Sequence, residues 1–199
     1  MTLTAVALVT TSCAAGGGAG TDGAPVTAPG FTGTVPEFSG PYASEFADLY
    51  TRASSDFARD VLADGQITDA EFAEMTSRFA SCLDDQGITF HGFQPDGSLS
   101  TSVAPGGADT HSIVSECSGS SGEDVINALA SIMRVNPENV AWASLMVDCL
   151  VGRGVVPQGY TVEQYEQDDA SRFADFENLP VELQEALTSC SSDPQGLLE

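Results

Sequence analysis

Five cysteines, at positions 13, 82, 117, 149 and 190, are the most chemically committed side chains in this sequence. No Cys-x-x-Cys pair occurs, and neither histidine falls at ligand spacing from a cysteine, so a zinc centre is not the reading. Cys13 stands alone near the start, which leaves an even set of four. Four cysteines allow three pairings, and number alone does not choose among them. Structural disulfides in an oxidising compartment are the chemistry this set predicts.

Three weaker constellations follow. Asp60 to Glu71 overlays a calcium-binding EF-hand loop, with Asp60, Asp64, Gly65, Ile67, Thr68 and Glu71 in register, and Ca²⁺ is the only cofactor that any spacing suggests. Leu62 breaks that pattern where an oxygen ligand is needed. Asp64-Gly65 as a turn and Thr68 with Glu71 as a capping box explain the same residues without metal. His91 between Phe90 and Phe93 makes an aromatic-histidine tip suited to a partner or glycan, with packing of the two Phe as the plainer account. Asp109, His111 and Glu116 offer a metal or general-base group, although Glu116 is off the helical face of His111 and Asp109 suits a cap. There is no Gly-x-Ser-x-Gly elbow and no glycine-rich loop between strand and helix. Asp84/Asp85 and Asp168/Asp169 are adjacent, so on a helix they diverge and read as solvated faces.

The elements that would position these groups are mostly helical. Phe46, Tyr50, Ala53, Phe57 and Val61 share one face of a helix from Tyr42 to Asp64-Gly65. A second helix starts at Thr68, carries Phe72, Met75, Phe79 and Cys82 on one side and stops at Gly87; the two should form an antiparallel hairpin. Ile88 to Phe90 and Leu99 to Val103 alternate around Pro95-Asp96-Gly97, which predicts a small β-hairpin. A short helix through Ile113, Val114 and Cys117 precedes a loop at 118–122 and a helix from Glu123 to Arg134 bearing Val125, Ile126, Leu129, Ile132 and Met133. Asn136 as cap and Pro137 as first residue then open a helix that is apolar almost all round, with Trp142, Leu145, Met146 and Cys149 on one stripe. Such a helix is normally central. Thr161 with Gln164 is another capping box. Pro180 opens a last helix, with Leu183, Leu187 and Cys190 on one face, and residues 195–199 should fray.

A weak internal repeat links two of these helices. Cys82-Leu83-x3-Gly87-Ile88 aligns with Cys149-Leu150-x3-Gly154-Val155, and Met75/Phe79 precede the first cysteine as Trp142/Met146 precede the second. Each unit is followed by a Cys-Ser near a helix end, Cys117 and Cys190. A cysteine in the last helical turn faces the core, the glycine breaks the helix, and the chain returns to be stapled. This favours Cys82–Cys117 and Cys149–Cys190, each closing a loop worth about 3–4 kcal/mol in the chain-entropy model. Two degenerate helical modules, about 68–118 and 137–191, are therefore expected.

Residues 1–12 have the form of a signal-peptide core: Leu3 to Val9 is apolar, too short to span a bilayer, and followed by small residues. No Lys or Arg precedes the run, so the expected start lies upstream of Met1. Val9-Thr10-Thr11-Ser12-Cys13 resembles a permissive bacterial lipobox without its usual Leu, which implies lipidation of Cys13. An ordinary secretory signal is the alternative. Residues 13–41, mostly Gly, Ala, Thr and Pro, read as a flexible tether. The lipobox, this tether and the Cys-Leu-x3-Gly-aliphatic turns with later cysteines also resemble poorly characterised exported lipoproteins of high-GC Gram-positive bacteria. The resemblance covers Cys13 with its tether and Glu71 to Cys190, implies architecture, and supplies no catalytic residue.

The charge balance is lopsided: 29 acidic residues against 6 arginines give a net charge of −23, with no lysine. That balance argues against nucleic acid as a partner and disfavours direct docking on anionic lipid. A cationic protein or another envelope component is the partner class that fits. The expectation is a mainly α, disulfide-stapled helical domain over 42–194 with one small β-hairpin, lipid-anchored on the outer face of the cell membrane, or secreted. Its expected role is non-enzymatic, in the envelope or in binding. The alternatives are a cell-wall or extracellular hydrolase, which needs His91 and His111 to converge with carboxylates, and a Ca²⁺-stabilised module using Asp60, Asp64 and Glu71.

Overall fold

The computed structural model describes residues 31–94, 97–103 and 110–198. The signal segment, Cys13, most of the tether, the turn residues Pro95-Asp96 and the cap Asp109 lie outside these residues. The chain runs α1 Ala43–Arg52, α2 Asp56–Leu62, α3 Asp69–Asp85, β1 Ile88–Phe93, β2 Leu99–Val103, α4 Thr110–Ser121, α5 Glu123–Val135, α6 Trp142–Gly152, α7 Val162–Asp169, a 3₁₀ segment Phe173–Asn178 and α8 Val181–Ser192. The domain is mainly helical with one antiparallel hairpin, and Cys82–Cys117 and Cys149–Cys190 are its two disulfides.

The two staples share a plan. Cys82 and Cys149 each sit in the last turn of their helix, α3 and α6, and Gly87 and Gly154 follow at φ +75° and +71°. That left-handed backbone suits glycine and stops the helix. Each chain then returns to a cysteine near the end of a second helix, Cys117 in α4 and Cys190 in α8, both almost wholly buried. The first return runs through the hairpin, the second through α7 and the 3₁₀ segment. Both capping boxes, Thr68/Glu71 and Thr161/Gln164, are formed.

Hydrophobic packing divides the domain into two bodies. In the first, Phe46, Val61, Leu62, Met75, Val125, Ile126 and Leu129 bring α1, α2, α3 and α5 together, while Phe79, Leu83, Ile88 and Cys117 join α3 to the hairpin and α4. In the second, Met146, Leu150, Tyr165, Phe173, Leu183, Leu187 and Cys190 pack α6 against α7, the 3₁₀ segment and α8. The hairpin pairs Ile88 with Val103 and Phe93 with Leu99, with a register shift between Phe90 and Gly92. In a regular strand Phe90 and Phe93 would face opposite sides; the extra residue turns both onto Phe79, at ring separations of 5.3 and 5.9 Å.

Several expectations are corrected. The expected single helix over 42–64 is two, α1 and α2, because Ala53 is extended and the Ser55 side chain caps Ala58 N–H. Ser54 meanwhile donates to the Gly119 carbonyl at 2.8 Å. The expected α1/α2–α3 hairpin is replaced by packing of α3 chiefly on α4, α5 and β1. α4 continues through 118–121, where Ser121 donates back to the Cys117 carbonyl, and the chain turns at Gly122. A Cβ on Gly122 would come within 2.8 Å of Ala58 Cβ, and its φ is +81°, so that turn requires glycine. The apolar helix α6 begins at Trp142, not Pro137. Asn136 ends α5 instead, its side chain accepting from Val140 N–H and donating to the Val140 carbonyl. Centrality belongs to α5, which packs on α1, α2, α3 and α4, while α6 packs within the second body.

The ends of the domain are also held. Phe31 meets the Tyr50 ring edge-on and Phe38 stacks on Phe46, so residues 31–41 belong to the domain and not to a free tether. At the other end, the Asp193 carboxylate accepts from Leu197 and Leu198 N–H, Gln195 Nε2 donates to the Val135 carbonyl, and Pro194 is buried. The expected frayed tail is, through residue 198, a strap folded back onto α5.

Candidate functional site

The seam between the two bodies is built around Asn136. This residue is 2 % exposed, and its carbonyl accepts the Tyr42 hydroxyl at 2.6 Å. Asn139, at φ +49°, donates to the Pro41 carbonyl and to Glu45 Oε1 at 2.8 and 2.9 Å. Burial pushes the Glu45 carboxyl up, but donors from Asn139 and Ser44 and its own backbone outweigh it and hold the carboxyl below its ordinary value. Polar bonds thus fix the joint on one side, and the apolar faces of α5, α6 and α8 are left to meet on the other.

Those faces do not close completely. Ala128, Ser131, Ile132 and Val135 of α5, Trp142 of α6 and Ser191 and Ser192 of α8 line a hollow of about 230 Å³. Ile132 is 37 % exposed there, because α5 spends Val125, Ile126 and Leu129 on the first core and turns a second stripe, Ala128–Ile132–Val135, toward this hollow. Ser131 also belongs to a second hollow, about 540 Å³, walled by Phe72, Thr76, Phe93, Gln94, Arg134 and the strap residues Leu197 and Leu198. Ser191 and Ser192 are shared with a third, about 390 Å³, whose apolar lining includes Phe173, Phe176 and Leu187. The first two hollows, which share Ser131, make up the apolar groove at the seam, and the third lies within the second body. Such concave, apolar surfaces with a few polar groups are where ligands and partners bind.

The residues singled out from sequence fall elsewhere. His91 is exposed on β1 with Nε2 2.8 Å from Ser102 Oγ. His111 and Glu116 are exposed on α4. Phe90 packs on Phe79 instead of forming a tip, and Phe93 does the same while lending an edge to the groove. Asp64 Oδ1 accepts from Gln66 N–H, Glu71 Oε2 accepts from Thr68 N–H and Oγ–H, and Asp60 is exposed on α2. These are turn and capping bonds, and no three metal-ligating side chains converge among the described residues. Asp168 is occupied by Tyr160 and Arg172, both at 2.7 Å; burial, and then Asp168, raise the Tyr160 hydroxyl well above its usual range.

Ser131, Ile132, Arg134, Trp142, Leu197 and Leu198 escaped sequence reasoning as site residues. Ile132 and Trp142 had been assigned to the core. The available signal was the i, i+4, i+7 stripe at 128, 132 and 135, a second apolar face on a helix that needs only one. Among the described residues no helix is long and apolar enough to cross a membrane. Comparison with protein-family models, with curated proteins and with solved structures finds no match to this chain.

Proposed function

We propose that this chain is an extracytoplasmic, lipid-anchored binding module that works without catalysis, with the seam groove as its binding surface. The observation that carries the reading is the pairing of all four interior cysteines in two helix staples, which suits an oxidising compartment. The lipobox-like Val9 to Cys13 supports an anchor at Cys13. With residues 31–41 docked on α1, only residues 14–30 would separate that anchor from the domain, a reach of at most roughly 60 Å. The groove supports binding, because a half-buried Trp142 and an exposed Ile132 line it. A hydrolase gains nothing from the histidines, since His91 is paired with Ser102 on an exposed strand and His111 is exposed on α4. A calcium module gains nothing from Glu71, which is spent on its capping box.

Mass spectrometry of the exported protein tests the anchor: diacylglycerol on Cys13 is expected, and a mature N-terminus elsewhere rejects it. Pull-down of the untagged domain from its own envelope tests the groove. Capture should be lost in Ile132→Glu, and capture indifferent to that change rejects the seam as the binding surface.

A further inference from the structure

Among the described residues, the larger hollow beside α5 has a single charged group in its wall, Arg134. Its guanidinium lies over the Phe72 ring, 4.3 Å from the centroid, which holds a planar fork of donors against an apolar surface. The other arginines are occupied: Arg52, Arg59, Arg78 and Arg172 pair with carboxylates three or four residues away, and Arg153 donates to Ser189 Oγ. Among the described residues, Arg134 has neither a carboxylate nor a hydrogen-bond acceptor. With 29 acidic residues for 6 arginines, a guanidinium that meets no carboxylate among the described residues runs against the composition. It stands where Phe72, Phe93, Leu197 and Leu198 form an apolar wall around about 540 Å³, within the usual size of a small-ligand site. Ser131 also lines the hollow of about 230 Å³ that holds Ile132 and Trp142.

We propose that these two hollows, which share Ser131, together bind one long-chain fatty carboxylate. Its head group takes the Arg134 guanidinium, and its alkyl chain runs along Phe93 and the Leu197–Leu198 strap, past Ser131, to Trp142. A carboxylate matches the guanidinium fork with two parallel bonds. One negative charge is what this surface tolerates, because against a net charge of −23 every further charge on a ligand adds repulsion. The hollows meet at one residue, Ser131, which suits a single chain in file better than a two-chain lipid. The inference deepens the binding-module reading and rests on it, but not on the lipid anchor.

The test is titration of the full, disulfide-bonded chain, produced free of lipid, with monomeric oleate. The only Trp in the chain lies on the hollow's wall and reports binding by its emission. Saturable binding is expected, with oleyl alcohol, the same chain without the carboxylate, at least roughly tenfold weaker. Arg134→Gln should weaken oleate by a similar factor and leave the alcohol unchanged, Arg134→Lys should restore part of the loss, and Ser131→Leu should weaken both. If Arg134→Gln fails to fold by circular dichroism, the oleate-to-alcohol ratio in the unaltered chain decides. Absence of saturable oleate binding, equal affinity for acid and alcohol, or a Trp142 response only to phosphatidylglycerol vesicles or to a basic peptide overturns the proposal. A failed oleate titration beside partner capture that Ile132→Glu abolishes removes this ligand and leaves the binding module standing; failure of both removes both.

Discussion

Replacing the cysteines of each staple in pairs, Cys82→Ala with Cys117→Ala and Cys149→Ala with Cys190→Ala, separates what the cross-links do from what the packing does. The bridges span 35 and 41 residues, and the chain-entropy model assigns about 4 kcal/mol to each, with only about 0.1 kcal/mol between them. Cys117 and Cys190 are 1 % and 0 % exposed, so truncation to alanine adds a packing loss of about 1 kcal/mol. The expected cost is therefore about 4–5 kcal/mol per staple, on the order of 10–15 °C in Tm for a chain of this size. The mode of unfolding should nevertheless differ. The first body keeps α1, α2 and α3 packed on α5 without its bridge, whereas the second is α6, α7, a 3₁₀ segment and α8 around one cluster. Urea unfolding followed by Trp142 emission and by far-UV circular dichroism should then split for the Cys149/Cys190 variant, with Trp142 lost first, and coincide for the Cys82/Cys117 variant. A loss under about 1 kcal/mol for either pair, or coincident transitions in both, refutes this account.

Trp142→Ala should cost about 1–2 kcal/mol, below the 3–5 kcal/mol of a fully buried aromatic, since Trp142 is only half-buried at the groove; chemical denaturation measures it. Thr68→Ala removes the capping box and should cost about 1 kcal/mol, while millimolar Ca²⁺ leaves the Tm of the unaltered chain unchanged. Glu45 is held below its ordinary pKa in the fold, so its ionised form contributes stability above that ordinary value and the contribution is lost as pH falls through the folded value. Acid-range stability profiles of Glu45→Gln and Asn139→Ala should both be flatter there than that of the unaltered chain.

The staples, the glycine stops and the capping boxes were legible because each is a local rule: a side chain, a cap or a positive φ acting within one turn. Even the pairing of Cys82 with Cys117 and Cys149 with Cys190 reduced to a local pattern repeated twice. What escaped depends on competition or on distance. Asn136 could have capped a following helix, but its side chain closes on Val140 while its carbonyl takes the Tyr42 hydroxyl, 94 residues away. Ser55 outcompeted a continuous α1–α2 stripe whose spacing was otherwise helical. The groove arises only where α5, α8 and the strap happen to adjoin, and no periodicity along one element reports that. In the sequence, Arg134 closes the helix that starts at Glu123; Arg59, Arg78 and Arg172 lie over phenylalanine rings as it does, and what sets it apart is that no carboxylate pairs with it among the described residues.

The two bridges close rings that follow one another along the chain and never interlock: the first cysteine of the interior four joins the second, and the third joins the fourth. A chain delivered N-terminus first through a secretion channel would present them in that order. Were Cys13 lipidated as proposed, Cys82 and Cys117 would be the first free thiols to emerge, and a simple oxidant could join them before Cys149 arrived. This connectivity is the one that such emergence would favour, and oxidation in that order would need no later reshuffling by an isomerase. Oxidative refolding of the reduced chain, in which all the thiols compete at once, should yield scrambled isomers that ordered emergence would avoid.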